Sequence, residues 1–155
     1  MRELSLSVLD LIQNSADAGA DFIEIFISED TAGNKLLISV RDNGSGMDSE
    51  SCSCVSNPFF TTRHGHAAGL GVPLFRQRAL LTGGSFDINS KPGAGTKVSA
   101  VFCTDSVDSV PLGDIEGVIK YACTLKNTKV VFKFDKDGEQ YTFETGTGQM
   151  KKKKV

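Results

Sequence analysis

The chain holds 155 residues, 39% hydrophobic and 23% charged, with a formal net charge of −2. That mixture suits one compact domain with a real core, and it excludes an intrinsically disordered chain. Near neutrality leaves no basic field for nucleic acid or a membrane surface, and no apolar run approaches membrane-spanning length.

The opening MRELSLSVLD meets charge too early and too often for a signal peptide. Leu4, Val8, Leu11 and Ile12 follow amphipathic spacing and predict a first helix, which Gly19 closes. FIEIFIS (22–28) reads as a strand, 30–34 as a turn, and KLLISVR (35–41) as a second strand with Leu36, Ile38 and Val40 facing one way. DNGSGMD (42–48) then breaks regular structure. From 48 to 68 there is little periodicity beyond NPFFTTR (57–63), as expected of a lid or binding loop. A second helix follows in GLGVPLFRQRALLTGG, with Leu70, Leu74, Phe75 and Leu81 expected on one face and Pro73 in the first turn. SFDINS and TKVSAVF are two strands around KPGAG; a third helix is expected over 112–125, then strands at 129–134 and 140–144 around Asp137-Gly138. Lys151 to Lys154 read as a frayed tail. Helices interleaved with hairpin-like strand pairs predict an α/β (α+β) two-layer sandwich, a mixed, mostly antiparallel sheet covered on one face by helices. Cys52, Cys54, Cys103 and Cys123 form no CxxC pair and no zinc spacing with His64 and His66, so reduced thiols of a cytoplasmic protein are expected.

Three stretches carry candidate chemistry. In LDLIQNSADAGA the polar residues Asp10, Asn14 and Asp17 fall on one narrow stripe at about 100° per residue. The stripe is either a solvated face or one wall of a pocket, where an amide oxygen and a carboxylate suit a hard cation or an oriented water. In DNGSGMD, Asp42 ends a strand ahead of Gly44 and Gly46. This is either a glycine-rich turn or a site where a carboxylate accepts a hydrogen bond from a planar donor, such as the exocyclic amine of adenine. A fixed carboxylate there would reject guanine by roughly 1.5–3 kcal/mol. In GLG, Gly69 and Gly71 precede a helix and expose backbone N–H groups at its positive end, a weak anion-site signal by itself. No GxxxxGK[ST] phosphate loop occurs anywhere in the chain.

The order of these pieces says more than any one of them. Asn on a helix, DxGxG after a strand, PFF-TT-R, GLG before a helix and GT entering a strand together resemble the ATP-binding domain of the GHKL superfamily. That superfamily comprises gyrase, heat-shock chaperone, histidine-kinase and mismatch-repair ATPases on the Bergerat fold. The resemblance covers about residues 1–103, with 104–148 a helix-plus-hairpin extension packed on the same domain and 149–155 a disordered Lys-rich tail. It implies ATP and Mg²⁺ as cofactors, with Asn14 holding the metal, Asp42 reading adenine, and Gly44, Gly46 and Met47 making room for the base. Phe60, Thr61 and Thr62 would belong to the lid, Gly69, Leu70 and Gly71 would approach the phosphates, and Thr96 would close the adenine side. Asp17 would line the pocket, Arg63 would face the phosphates, and Asp10 would stand where chaperone, gyrase and mismatch-repair relatives have a glutamate that activates water. The small stand-alone bacterial members of the superfamily begin with a pattern similar to LSLSVLDLIQNSADAGA. The implied function is ATP hydrolysis or transfer of the γ-phosphoryl group to a protein, with a regulatory or redox-related partner and homodimerisation among the expectations. A catalytically weak, nucleotide-gated binding module is the alternative, since Asp10 is one methylene short and the chain has only His64 and His66, both in the expected lid.

Overall fold

The computed structural model describes residues 3–48, 50, 71–145 and, as backbone, 150–154. Alternation builds the sheet. In β1 (Phe22–Asp30) Ile23, Ile25 and Ile27 are buried, and in β2 (Lys35–Asp42) Leu36, Ile38 and Val40 share the same side. The two strands pair antiparallel, with Ile25 opposite Val40 and Ile27 opposite Ile38. β3 (Ser85–Lys91) and β4 (Gly95–Cys103) form a second hairpin, and β4 pairs antiparallel with β2 so that Thr96 stands opposite Asp42. β5 (Lys129–Lys136) runs parallel to β1, and β6 (Glu139–Glu144) returns antiparallel to β5. With β7 (Met150–Lys154) the described residues make one seven-stranded sheet in the order β3-β4-β2-β1-β5-β6-β7. One parallel pair among antiparallel ones gives the mixed, mostly antiparallel sheet expected.

Helices α1 (Leu4–Asp17), α2 (Gly71–Leu81) and α3 (Ile115–Cys123) supply the second layer. α1 buries Leu4, Val8, Leu11 and Ile12, the stripe its spacing predicts. Phe75 of α2 meets Phe102 of β4 edge to face with ring centroids 5.4 Å apart. Burying such a ring is worth about 2–3 kcal/mol. Together these layers form the two-layer α/β sandwich that the sequence suggests.

Three elements differ in detail from expectation. α2 buries Val72, Phe75 and Ala79, while Leu81 is exposed and Leu74 only half-buried. The inward stripe is therefore rotated from the expected one, because Gly71 lies against α1 and turns Val72 and Phe75 onto the sheet; Leu70 lies outside the described residues. α3 starts at Ile115 rather than at 112, since the Asp114 carboxylate accepts from Gly117 N–H at 3.0 Å and caps it there. The carbonyls of Pro111 and Leu112, just upstream, instead accept from the Leu4 and Ser5 N–H groups at 2.9 and 2.7 Å, satisfying donors that the first turn of α1 leaves free. The Lys-rich 151–154 segment, expected as a frayed tail, pairs its backbone with β6 as β7, where ladder hydrogen bonds offset the loss of chain entropy.

Candidate functional site

The C-terminal end of α1, the end of β2 and the β3–β4 turn converge around residues 42–47. Asn43 fixes the first corner: its side-chain oxygen accepts from Asp21 and Phe22 N–H at 3.0 and 3.1 Å. Ser45 N–H then donates to Ala18 carbonyl at 2.9 Å, and Ser45 carbonyl accepts from Gly93 N–H at 2.7 Å. Met47 N–H donates to Ser90 Oγ at 2.8 Å. Gly46 has φ +70°, and a β-carbon on it would stand 1.9 Å from Lys91 carbonyl oxygen, so only glycine lets this loop pass the β3–β4 turn.

Asp42 sits half-buried at the centre of this junction. Its Oδ1 accepts from Gly44 N–H at 2.8 Å and Thr96 N–H at 3.3 Å, and its Oδ2 accepts from Ser15 hydroxyl at 2.6 Å. Thr96 is held in turn by a 2.7 Å hydroxyl–hydroxyl hydrogen bond with Ser90. The carboxylate is thereby locked in orientation by groups on α1, its own loop and β4.

Further along α1 stand Asp10 and Asn14, both half-buried, against the N-terminus of α2. A β-carbon at Gly71 would come within 2.9 Å of Asp10 Cβ and 3.6 Å of Asn14 Nδ2, so the missing side chain is what lets α2 close on these two residues. Burial pushes the Asp10 carboxyl above the ordinary aspartate value of 3.8. Among the described residues α2 begins at Gly71, which directs the positive end of its dipole toward the same neighbourhood. Asp17, the third member of the predicted stripe, is exposed and accepts from Gln13 Nε2 at 3.0 Å, while Gln13 side-chain Oε1 accepts from Tyr121 hydroxyl of α3. The stripe thus divides, Asp10 and Asn14 facing α2 and Asp17 paired with Gln13.

Of the other predicted site residues, Gly44, Gly46, Met47 and Thr96 gather at Asp42, whereas Phe60, Thr61, Thr62, Arg63, Gly69 and Leu70 lie outside the described residues, as do His64, His66, Cys52 and Cys54. Sequence reasoning missed Ser15 and Ser90. Both carried a signal: Ser15 continues the inward stripe 4, 8, 11, 15 of α1, and Ser90 follows Phe86 and Ile88 on β3. A hydroxyl on an apolar stripe must find a partner. Among the described residues no group of three His, Cys, Asp or Glu could hold a metal by itself, nor is any helix long and apolar enough to cross a membrane.

The family model for histidine kinase-, DNA gyrase B-, and HSP90-like ATPase matches residues 2–106. A candidate sensor protein of Shewanella frigidimarina is 31% identical over 109 residues, covering 69% of this chain and 17% of that protein. Sporulation kinase D of Bacillus subtilis is 29% identical over 92 residues, covering 59% of the chain and 18% of the kinase. The chain therefore spans less than a fifth of either relative. Among solved structures, the Aquifex aeolicus MutL ATPase domain complexed with ADP superposes with a TM-score of 0.59 at 17% identity, over 96% of this chain and 65% of that one.

Proposed function

Because the chain belongs to the histidine kinase-, DNA gyrase B-, and HSP90-like ATPase family, we propose that it binds ATP with Mg²⁺ and either hydrolyses it or passes the γ-phosphoryl group to a partner protein. The observation that carries the reading is the Asp42 carboxylate, locked by Ser15, Gly44 and Thr96 beside a loop where glycines replace side chains. A locked carboxylate accepts from the adenine amine and has nothing to offer a 6-oxo group. The MutL ATPase domain of similar fold was solved with ADP, which supports nucleotide binding on this fold.

Asp10, Asn14 and the α2 amides then belong to the phosphates. The donor set fits Mg²⁺: in nucleotide sites that ion takes one or two protein oxygens and completes its shell with phosphate and water, so no acidic cage is needed. Asn14 would be the protein ligand, and the bound ion would neutralise charge on the phosphates. The α2 N-terminus draws the same charge through its dipole. Phosphoryl transfer asks mainly for such positioning and electrostatic stabilisation. Asp10, its proton affinity raised by burial, accepts the proton of the attacking nucleophile. Arg63 and residues 60–62, outside the described residues, keep the lid role that the family resemblance implies for them, and the cytoplasm is the compartment that supplies ATP.

Calorimetric titration with ATP and GTP, with and without Mg²⁺, tests the reading. Mg²⁺-dependent ATP binding at least tenfold tighter than GTP is expected, on the basis of a charged hydrogen bond. Asn14→Ala should remove the Mg²⁺ dependence, and retention of that dependence would sink the metal assignment. Single-turnover phosphate release separates an ATPase from a nucleotide-gated switch, which would bind ATP without releasing phosphate.

A further inference from the structure

The polar side of α1 is held from two directions. α2 meets it through Gly71, which lies against Asp10 and Asn14. α3 meets it through Tyr121, whose hydroxyl donates to Gln13 Oε1, while Gln13 Nε2 donates to Asp17 Oδ1 at 3.0 Å. Gln13 and Asn14 are consecutive, so their side chains leave the helix about 100° apart. Two contacts so spaced fix the rotation of α1 about its own axis. A helix with its side chains is about 5–6 Å in radius, so a turn of about 10° carries a side-chain tip by about 1 Å. The starts of the two helices are clasped as well: Asp114 N–H donates to Glu3 Oε1 at 2.9 Å, and the Asp114 carboxylate caps α3. α3 itself grips the core lightly, with Val118 and Ala122 buried and Ile115, Ile119 and Tyr121 half-buried.

We propose that Tyr121 and Gln13 are positioning residues for the phosphate end of the site, so that docking of α3 regulates how well Asn14 serves the metal of a bound nucleotide. The proposal rests on the nucleotide reading given above. With α3 docked, Tyr121 holds Gln13 and α1 is fixed between two neighbours. With α3 undocked, Gln13 loses that partner and α1 is free to turn against Gly71. A tip movement of about 1 Å is several times the roughly 0.2 Å latitude of a metal–ligand distance, and Mg²⁺ is strict about geometry. An element with so small a buried face opens at lower free energy than the sheet beneath it, so its docking is an equilibrium that a ligand can bias. α3 lies beyond the residues that the family model matches, which places this control in the extension rather than in the shared domain.

The test titrates the full chain with the non-hydrolysable β,γ-imido analogue of ATP, with and without Mg²⁺, and reads the gain in affinity that Mg²⁺ brings. In Tyr121→Phe that gain should shrink about fivefold, the equilibrium value of one net hydrogen bond, while affinity without Mg²⁺ stays within about twofold. Gln13→Met should shrink it at least as much, and it gives the answer should the phenylalanine variant not fold. Adding Tyr121→Phe to Gln13→Met should change nothing further, since the partner is already gone. Thr31→Val removes a hydroxyl that donates to Asp137 Oδ2 at 2.8 Å, in the turn at the far end of β1 from Asp42; it should cost similar stability and leave the gain intact. Linkage is reciprocal, so the Mg²⁺-bound analogue should slow amide exchange in α3 of the wild type more than in Tyr121→Phe. A full gain in folded Tyr121→Phe or Gln13→Met overturns the proposal, as does an equal loss in Thr31→Val or equal slowing of α3 in both proteins. A wild type that binds the analogue without any gain from Mg²⁺ instead overturns the metal assignment, and one that does not bind it overturns the nucleotide reading itself.

Discussion

A single methyl group at Gly71 probes the proposed phosphate end of the site while leaving every polar group of Asp10 and Asn14 in place. In Gly71→Ala the new β-carbon would stand 2.9 Å from Asp10 Cβ, 3.6 Å from Asn14 Nδ2 and 3.7 Å from Asp10 Cγ. Carbon pairs settle at about 3.5–4.0 Å, so α1 and α2 must part by roughly 0.5–1 Å at this level. Overpacking of this kind costs about 1–3 kcal/mol, and alanine returns up to about 1 kcal/mol through helix propensity. The net loss of stability is then about 0–2 kcal/mol, or a fall in Tm of up to about 8 °C for a chain of this size. The chemical consequence is larger, because a displacement of about 1 Å among reacting groups can cost 10²-fold. Single-turnover ATP hydrolysis should therefore fall about 100-fold, while ADP affinity, assigned in the proposed reading largely to the Asp42 end, changes by less than about threefold. Hydrolysis at the wild-type rate in a folded Gly71→Ala protein would refute the idea that the α1–α2 approach sets the catalytic geometry.

Three further substitutions test other parts of the site. Asp10 has a raised pKa through burial, so its charged form costs stability that returns as pH falls through that raised value. Asp10→Asn should accordingly raise Tm at pH 7, lower turnover, and abolish the acid limb of the rate profile, which in the wild type lies above pH 3.8. Asp42→Asn keeps an acceptor for Gly44 and Thr96 and places an amide donor near Ser15. ATP affinity should drop about 10- to 100-fold in titration while Tm moves by only a few degrees, and an unaltered affinity would remove Asp42 from base recognition. Tyr121→Phe deletes the hydroxyl that donates to Gln13 and should cost about 1 kcal/mol in urea melts. A larger loss of ATP affinity than of stability would show that α3 helps to aim Asn14.

Much of this was legible in the sequence because it depended on local pattern. The stripe Leu4, Val8, Leu11 and Ile12 and the alternation of Ile23, Ile25 and Ile27 each report one element meeting one core. The junction at Asp42 was legible for a different reason: glycines at 44 and 46 are needed by close backbone approaches, so they leave a mark in composition. What escaped were relations between distant elements. Nothing within α2 says that Gly71 rests on Asp10; the helix buries the expected Phe75 together with Val72 and Ala79, and leaves Leu74 half-buried and Leu81 exposed. The separation of Asp17 from its stripe was likewise hidden, since it depends on Gln13 reaching Tyr121 more than a hundred residues away. Ser15 and Ser90 were overlooked because a serine scores as neutral in any pattern until its burial is known.

The extent of the family match also understates what the site requires. The match ends at residue 106, shortly after β4, yet β1 is an interior strand only because β5 pairs with its other side. Val130 and Phe132 of β5 are fully buried with Ile23 and Ile25 in one core, so without them the floor beneath α1 would be half open. α1 is also tied from above: Pro111 and Leu112 carbonyls accept from its first turn, and Tyr121 holds Gln13 in its middle. That helix carries Asp10, Asn14 and Ser15. The later third of the chain therefore acts on the candidate site through the placement of one helix, contributing no group that faces the Asp42 junction among the described residues. A protein that gripped α3 or the 111–114 strap would have a direct mechanical route to the proposed metal ligand Asn14, the proposed base Asp10 and the Asp42 partner Ser15 at once.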